Sequence, residues 1–312
     1  MSRLTRREFI VSAGAAGALA AFAGCGSKKT AGPATPAKHP KPTSSAPSNL
    51  VVASSGSPAK KVAAAVAALG GMSAFVKRGN RVVVKPNAAW ARPAGAAATT
   101  SPEVVAAIVK LCKDAGASQV IVVDHLIDRP SDMVLQLTGI GPAAKAAGAK
   151  VVSASNQNMY HPVEIPDCEI LIEEQVIKDI LDADVFINVP VAKCHSDTQV
   201  SLGLKNLMGV IWSRQPWHTS ASVHQCVAEF STAVRPHLTV LDANRILLTN
   251  GPKGPGDTKD VGQIIAGVDP VAVDAYGATL FGLRPSEVDH IRLAHELGSG
   301  EIDLTRVTIA KV

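Results

Sequence analysis

From residue 50 onward, short runs of β-branched residues alternate with longer stretches in which apolar positions recur every third or fourth residue. The runs predict strands at Arg81–Lys85, Gln119–Asp124, Lys150–Ala154, Val185–Val189, His237–Asp242, Gln263–Val268 and Arg306–Ile309. Several are near-continuous Val/Ile segments, the pattern of strands covered on both faces. Between them lie helices. Ser101-Pro102-Glu103 is a start signal, with Ser at the cap and Pro in the first turn, for a helix ending near Gly116. A second helix opens at Asp269-Pro270 and stops at Gly282, and a third runs from about Ser286 to Leu297. This alternation predicts an α/β fold, a mostly parallel sheet flanked by helices on both faces. The stretches 86–100 and 243–262 read as long loops at strand ends, where function concentrates.

Before residue 50 the pattern changes. Thr5-Arg6-Arg7-Glu8-Phe9-Ile10-Val11 resembles a twin-arginine export signal. The apolar stretch Phe9–Ala23 is too short to span a bilayer, and its Ala, Gly and Ser content makes it only weakly hydrophobic, which suits export of an already folded chain. It closes on Phe22-Ala23-Gly24-Cys25, similar to a lipobox with Phe22 in place of the usual Leu, so Cys25 is the expected lipidation site. An ordinary cleaved signal would leave Cys25 incidental. Residues 26–49 hold Pro, Lys, Ser and Thr with no apolar side chain larger than Ala, the composition of a disordered tether. Such a coil spans on the order of 25–30 Å. The expected division is a signal peptide at 1–24, a lipid-anchored linker at 25–49 and a domain at 50–312. The implied partners are the twin-arginine export machinery and, through the lipid, a membrane of the cell envelope or periplasm.

Charge then changes its meaning. The formal net charge is +5, but Arg3, Arg6 and Arg7 face only Glu8 in the signal, and Lys28, Lys29, Lys38 and Lys41 have no acid beside them in the linker. Residues 50–312 are left at −1. A near-neutral domain has no general attraction for a polyanion, so nucleic acid is excluded as a partner. Aromatic residues make up 4% of the chain, which leaves the core to Val, Ile, Leu and Ala. Cys112, Cys168, Cys194 and Cys226 form no Cys-x-x-Cys pair, and their spacing does not choose among three possible pairings.

Ligands collect at the carboxyl ends of parallel strands. The polar residues there are Lys85 and Asn87, Asp124 and His125, Lys193, Cys194 and His195, Asp242 and Asn244, and Asp269. The densest signal is Val189-Pro-Val-Ala-Lys193-Cys-His195, then Leu204-Lys205-Asn206-Leu-Met208-Gly209. Two cations and amide donors in one loop suit a carboxylate or phosphate. Cys194, His195, His218, His224 and Cys226 are soft ligands in one region, but their spacing is not a standard zinc pattern. On a helix over Thr219–Val234, His224 and Cys226 would point about 200° apart. Gly251-Pro-Lys-Gly-Pro-Gly256 lacks the Ser/Thr and the following helix of a phosphate loop. Trp212 and Trp217 form either an apolar lid or core.

Val-Val-Lys85-Pro86-Asn87, Ser101-Pro102-Glu103, Asn188-Val-Pro190 with Lys193 and His195, and Leu204-Lys205-Asn206-Leu-Met-Gly209 together resemble the DUF362 family. His224, Leu238–Asp242, Gly251-Pro252 and Asp269-Pro270-Val-Ala-Val-Asp274 continue the match in the family's order, over about residues 80–283. The resemblance implies an α/β domain and no established reaction. The expectation is a pocket for a small anionic ligand or cofactor, enzymatic or not. Lys85, Asn87, Lys193, Lys205, Asn206, Asp242 and Asp269 would bind, and His195, the candidate catalytic residue, would move protons near neutral pH. The alternative is a non-enzymatic metal or redox accessory in which Cys194, His195 and His224 hold an ion; a third is a structural surface lipoprotein. The sequence specifies no cofactor.

Overall fold

The computed structural model describes residues 49–219 and 222–312; the twin-arginine motif, Cys25 and the linker up to residue 48 lie outside the described residues. Twelve strands are described: β1 (Asn49–Ala53), β2 (Arg81–Pro86), β3 (Gln119–Asp124), β4 (Lys150–Ser153), β5 (Tyr160–Glu164), β6 (Glu173–Ile177), β7 (Val185–Val189), β8 (Val191–His195), β9 (Gln199–Ser201), β10 (Leu238–Leu247), β11 (Thr258–Gly267) and β12 (Thr308–Lys311). The helices are α1 (Pro58–Ala68), α2 (Pro102–Asp114), α3 (Ser131–Leu137), α4 (Ile140–Ala146), α5 (Lys178–Leu181), α6 (Gly203–Asn206), α7 (Gln215–Thr219), α8 (Val223–Ala233), α9 (Pro270–Thr279) and α10 (Asp289–Glu296).

The main sheet runs β12-β1-β11-β10-β7-β2-β3-β4, with β8 beside β10 and β9 beside β8. The central ladders β10-β7, β7-β2, β2-β3 and β3-β4 are parallel, while β10-β11, β11-β1 and β8-β9 are antiparallel. Because successive side chains leave a strand on opposite sides, each Val/Ile run supplies two cores. Val82, Val84, Val120, Val122, Val185 and Ile187 pack with Val62, Val105, Ile108 and Ile140 of α1, α2 and α4. Val83, Ile121, Val123, Phe186 and Leu241 pack with Phe230, Val273 and Ile291 of α8, α9 and α10. The expected α/β architecture with a mostly parallel sheet is the one observed.

The differences have local causes. The stretch 243–262 is not a loop: β10 and β11 extend into it as an antiparallel hairpin, paired through Leu247 and Thr258, and only 248–257 turns. Ser101 stands at the cap of α2, but its hydroxyl makes no capping bond. Trp217 is core, whereas Trp212 stacks on His125. Cys112, Cys168, Cys194 and Cys226 are unpaired. Among the described residues no helix is long and apolar enough to cross a membrane.

Two prolines shape the site. Pro86 closes β2, and Pro190, which has no N–H for the ladder, separates β7 from β8. Both strands still pair with β10, β7 at Leu238–Thr239 and β8 at Asp242, so the chain is redirected while staying in the sheet.

Candidate functional site

Lys85, Asn87, Lys193, His195, Lys205 and Asn206 line one cavity of about 300 Å³ at the carboxyl ends of β2, β7 and β8. Register brings them together. Lys85 lies beside Asn188 across the β2-β7 ladder. Lys193 and His195 are two apart on β8, hence on one face, with Cys194 between them on the other. α6 delivers Lys205 and Asn206, and its start is held from below by Asp274 of α9, whose carboxylate accepts from Gly203 N at 2.6 Å and Leu204 N at 2.8 Å. Burial pushes Asp274 up to about 7, against the pull of those two backbone hydrogen bonds.

The cavity floor is an ion pair continued by amides. Lys85 Nζ donates to Asp124 Oδ1 at 2.7 Å, to Pro86 O at 2.8 Å and to Asn206 Oδ1 at 3.2 Å. Asn206 Oδ1 also accepts from Asn87 Nδ2 at 3.1 Å, and Asn87 Oδ1 accepts from Lys193 Nζ at 3.2 Å. Ala98 O takes a second Lys193 proton at 2.6 Å. Gly209 closes over the pair: a Cβ there would sit 2.4 Å from Asp124 Oδ1 and 2.5 Å from Lys85 Nζ, so only glycine fits.

The charges are not balanced. Lys85 is matched by Asp124, both almost fully buried. Lys193 and Lys205 have no carboxylate within ion-pair distance among the described residues, and Arg214 adds a third cation to the lining. Burial, offset by Asp124 and reinforced by Lys85 and Lys205, pushes Lys193 down to about 7. Burial, offset by Asp197 and reinforced by Arg214, pushes Lys205 down to about 8. An anion would satisfy both ammonium groups.

His195 departs from its expected role. Burial, with the charge of Lys205, pushes its imidazole down to about 3, so it stays neutral near pH 7 and does not titrate there. Its Nδ1 accepts from Asp197 N at 3.1 Å, which puts the ring proton on Nε2 and makes the residue a hydrogen-bond donor. In the cavity lining, Lys193 and Lys205 are pushed to values near neutral pH.

Asp242 and Asp269 are not in this cavity. Asp242 Oδ2 accepts from Ser101 N at 2.8 Å and Oδ1 from Asn244 Nδ2 at 2.9 Å, which ties β10 to the start of α2. Asp269 Oδ1 caps α9 by accepting from Val271 N and Ala272 N, both at 2.9 Å, and Oδ2 accepts from Glu301 N at 2.8 Å. Both hold donors of the fold and lie outside the lining of this cavity. Nor do Cys194, His195 and His224 meet. Cys194 Sγ accepts from Gly251 N at 3.2 Å, and His224 sits on α8 with Nδ1 accepting from His290 N at 3.2 Å and Nε2–H on Asp197 O at 3.2 Å. Among the described residues no three His, Cys, Asp or Glu side chains are grouped so as to hold a metal ion.

Arg214, Asp197 and Trp90 also line the cavity without any signal in the sequence, and His218, which lines it too, stood out there only as a soft ligand. Arg214 donates to Met208 O and His125 O. Asp197 pairs with His218 Nδ1 at 3.0 Å, and the His218 ring lies parallel to His195. At the mouth, Lys253 rests over the Trp90 ring and reaches Asp128 at 3.1 Å, joining the loop after β2 to the β10-β11 turn. No spacing rule singles out Arg214, Asp197 or Trp90; Asp124, which also lines the cavity, was visible as a strand-end acid.

A thylakoid-associated protein of Synechocystis sp. is 30% identical over 237 residues, covering 74% of this chain and 72% of that protein. Among solved structures, the lactate racemase apoprotein from Thermoanaerobacterium thermosaccharolyticum matches with a TM-score of 0.52 at 10% identity, over 74% of this chain and 56% of that one. A protein from Thermotoga maritima matches with a TM-score of 0.48 at 13% identity, over 73% of this chain and 60% of that one. This chain therefore spans less than two thirds of either solved chain, and the likeness to the racemase is one of fold. The family model described as domain of unknown function (DUF362) matches residues 82–279, and the chain belongs to that family.

Proposed function

We propose that the domain binds a small organic or inorganic anion, a carboxylate or a phosphate, in the lysine cavity. The observation that carries this reading is the surplus of cationic side chains around one small cavity. Lys193, Lys205 and Arg214 face one cavity in which Lys85 already neutralises Asp124. Hydrogen bonds from charged donors are worth roughly 1.5–3 kcal/mol each. The ligand must be small to fit about 300 Å³. Titration calorimetry with oxalate and with inorganic phosphate tests the reading. Saturable binding that weakens about tenfold or more in Lys193→Met and Lys205→Met is expected; binding unchanged by both variants would reject it.

We further propose that the domain works outside the cytoplasm, exported in folded form through Arg6-Arg7 and tethered by a lipid on Cys25. The apolar stretch after the arginines and the Pro/Lys linker after Cys25 support this, and the thylakoid association of the Synechocystis relative is in keeping with a membrane setting. Fractionation of cells carrying Cys25→Ala and Arg6→Lys/Arg7→Lys is the test. The first should lose membrane attachment and the second should stay in the cytoplasm; wild-type behaviour in both would reject the address.

A further inference from the structure

The three cavity lysines differ in what their amines already touch. Lys85 Nζ donates to three oxygens and Lys193 Nζ to two. Lys205 Nζ donates to no oxygen among the described residues; its neighbour is Met208 Sδ at 2.8 Å, a weak acceptor. Converting Lys85 or Lys193 to an imine would leave buried oxygens without donors, at roughly 1–3 kcal/mol each. At Lys205 no such hydrogen bond is lost. A lysine desolvated beside other cations is also the usual origin of a nucleophilic amine, and Lys205 is buried with Arg214 close enough to repel its charge.

The surroundings suit one class of electrophile. In the ammonium form that a bound anion favours, Lys193 keeps one N–H beyond its two acceptors, and Arg214 spends only Nε and one Nη2 proton on carbonyls, which leaves donors for a carboxylate. His195 offers Nε2–H to a carbonyl or hydroxyl oxygen. His218, paired with Asp197 at the mouth, can pass protons to solvent.

We propose, resting on the anion-pocket reading, that Lys205 captures a small 2-oxo acid as an imine while Lys193 and Arg214 hold its carboxylate. The neutral amine's lone pair forms the N–C bond, and the carbonyl π pair moves to oxygen. One proton passes from nitrogen to oxygen to give the carbinolamine. The oxygen then leaves as water with a second proton, and the nitrogen pair closes the C=N bond. One amine and one carbonyl give one imine and one water, with no change of oxidation state.

The test uses the full chain with glyoxylate at about pH 8, near the Lys205 value, and cyanoborohydride, followed by peptide mass mapping. A carboxymethyl group on Lys205 is expected, about tenfold or more above that on exposed Lys60 and Lys110, and it should be suppressed by oxalate. Lys205→Arg removes the amine nucleophile and should lose the label. Label spread evenly over surface lysines, or concentrated on Lys193, would overturn the imine even where oxalate binds and the anion reading stands. Absence of oxalate binding in the wild type would overturn both. The wild-type map needs no variant, so a misfolded Lys205→Arg leaves the test decisive.

Discussion

Two groups of polar residues lie on or beside the strands of the sheet, and they do opposite things. Around β10 and β11, Asp242 and Asp269 face helix starts and loop backbone, and both oxygens of each accept N–H donors. Around β2, β7 and β8, the Lys193 ammonium has an N–H to spare, and among the described residues the Lys205 amine donates to a thioether and to no oxygen. A place on or beside a strand is common to both groups. What separates a structural residue from a ligand-seeking one is the number of partners already in place, because a buried polar group without them remains unstable until something binds.

The contrast can be broken in four places. Asp124→Ala should have the largest effect, because it strands the Lys85 ammonium in the interior: a loss of about 3–5 kcal/mol, read by urea unfolding. A variant as stable as wild type would mean that the floor is not an ionised pair. Next come Lys193→Met and Lys205→Met, which should lower oxalate affinity by roughly 1.5–3 kcal/mol. Lys205→Met should leave stability unchanged or raised, since it removes a buried cation that donates to no oxygen among the described residues, whereas Lys193→Met also strands Asn87 Oδ1 and Ala98 O. A large loss of stability in Lys205→Met instead would move that lysine into the structural class.

The pH dependence is smaller, and its sign is fixed. Lys193 and Lys205 titrate at about 7 and about 8 in the folded protein against an ordinary 10.5, so the empty domain sheds protons before an unfolded chain does. An anion favours the ammonium forms and raises both values. Oxalate should therefore bind with proton uptake at about pH 8 and weaken as pH rises, by about tenfold for each lysine that must be recharged by one unit. Calorimetry in buffers of different ionisation enthalpy reads the uptake. For folding, the stability these amines confer above 10.5 is lost as pH falls toward 7. The smallest effect belongs to the acids: Asp269→Ala and Asp242→Ala should destabilise by about 0.5–2 kcal/mol and leave oxalate affinity within about twofold. A collapse of binding in either would erase the contrast.

Much of the fold was legible because burial writes itself into composition. β2, β3 and β7 are Val/Ile runs covered on both faces, and their predicted limits match within a residue. β5 carries a proline, β6 opens on Glu173-Glu174, and β8 and β9 hold Lys193, Cys194, His195 and Gln199. Their place in the fold comes from local pairing and from the cavity, so no apolar run announces them. β1 was hidden by its closeness to the linker. Of the site, the lysines and amides could be read because they follow strong strands. Arg214 could not, since it reaches the cavity only when the segment after α6 folds back over Lys85. His195 lines the cavity, but burial and the charge of Lys205 push its imidazole down to about 3, and neither cause is written in the order of residues.

The three-oxygen cradle around Lys85 has a spectroscopic consequence. An ammonium held on Asp124, Pro86 and Asn206, nearly sealed from water, exchanges its hydrogens slowly. Its 15N–1H signal should persist in a heteronuclear spectrum where surface amines are erased by solvent. A single lysine resonance at the base of the cavity would then report occupancy directly, with no label attached to the ligand.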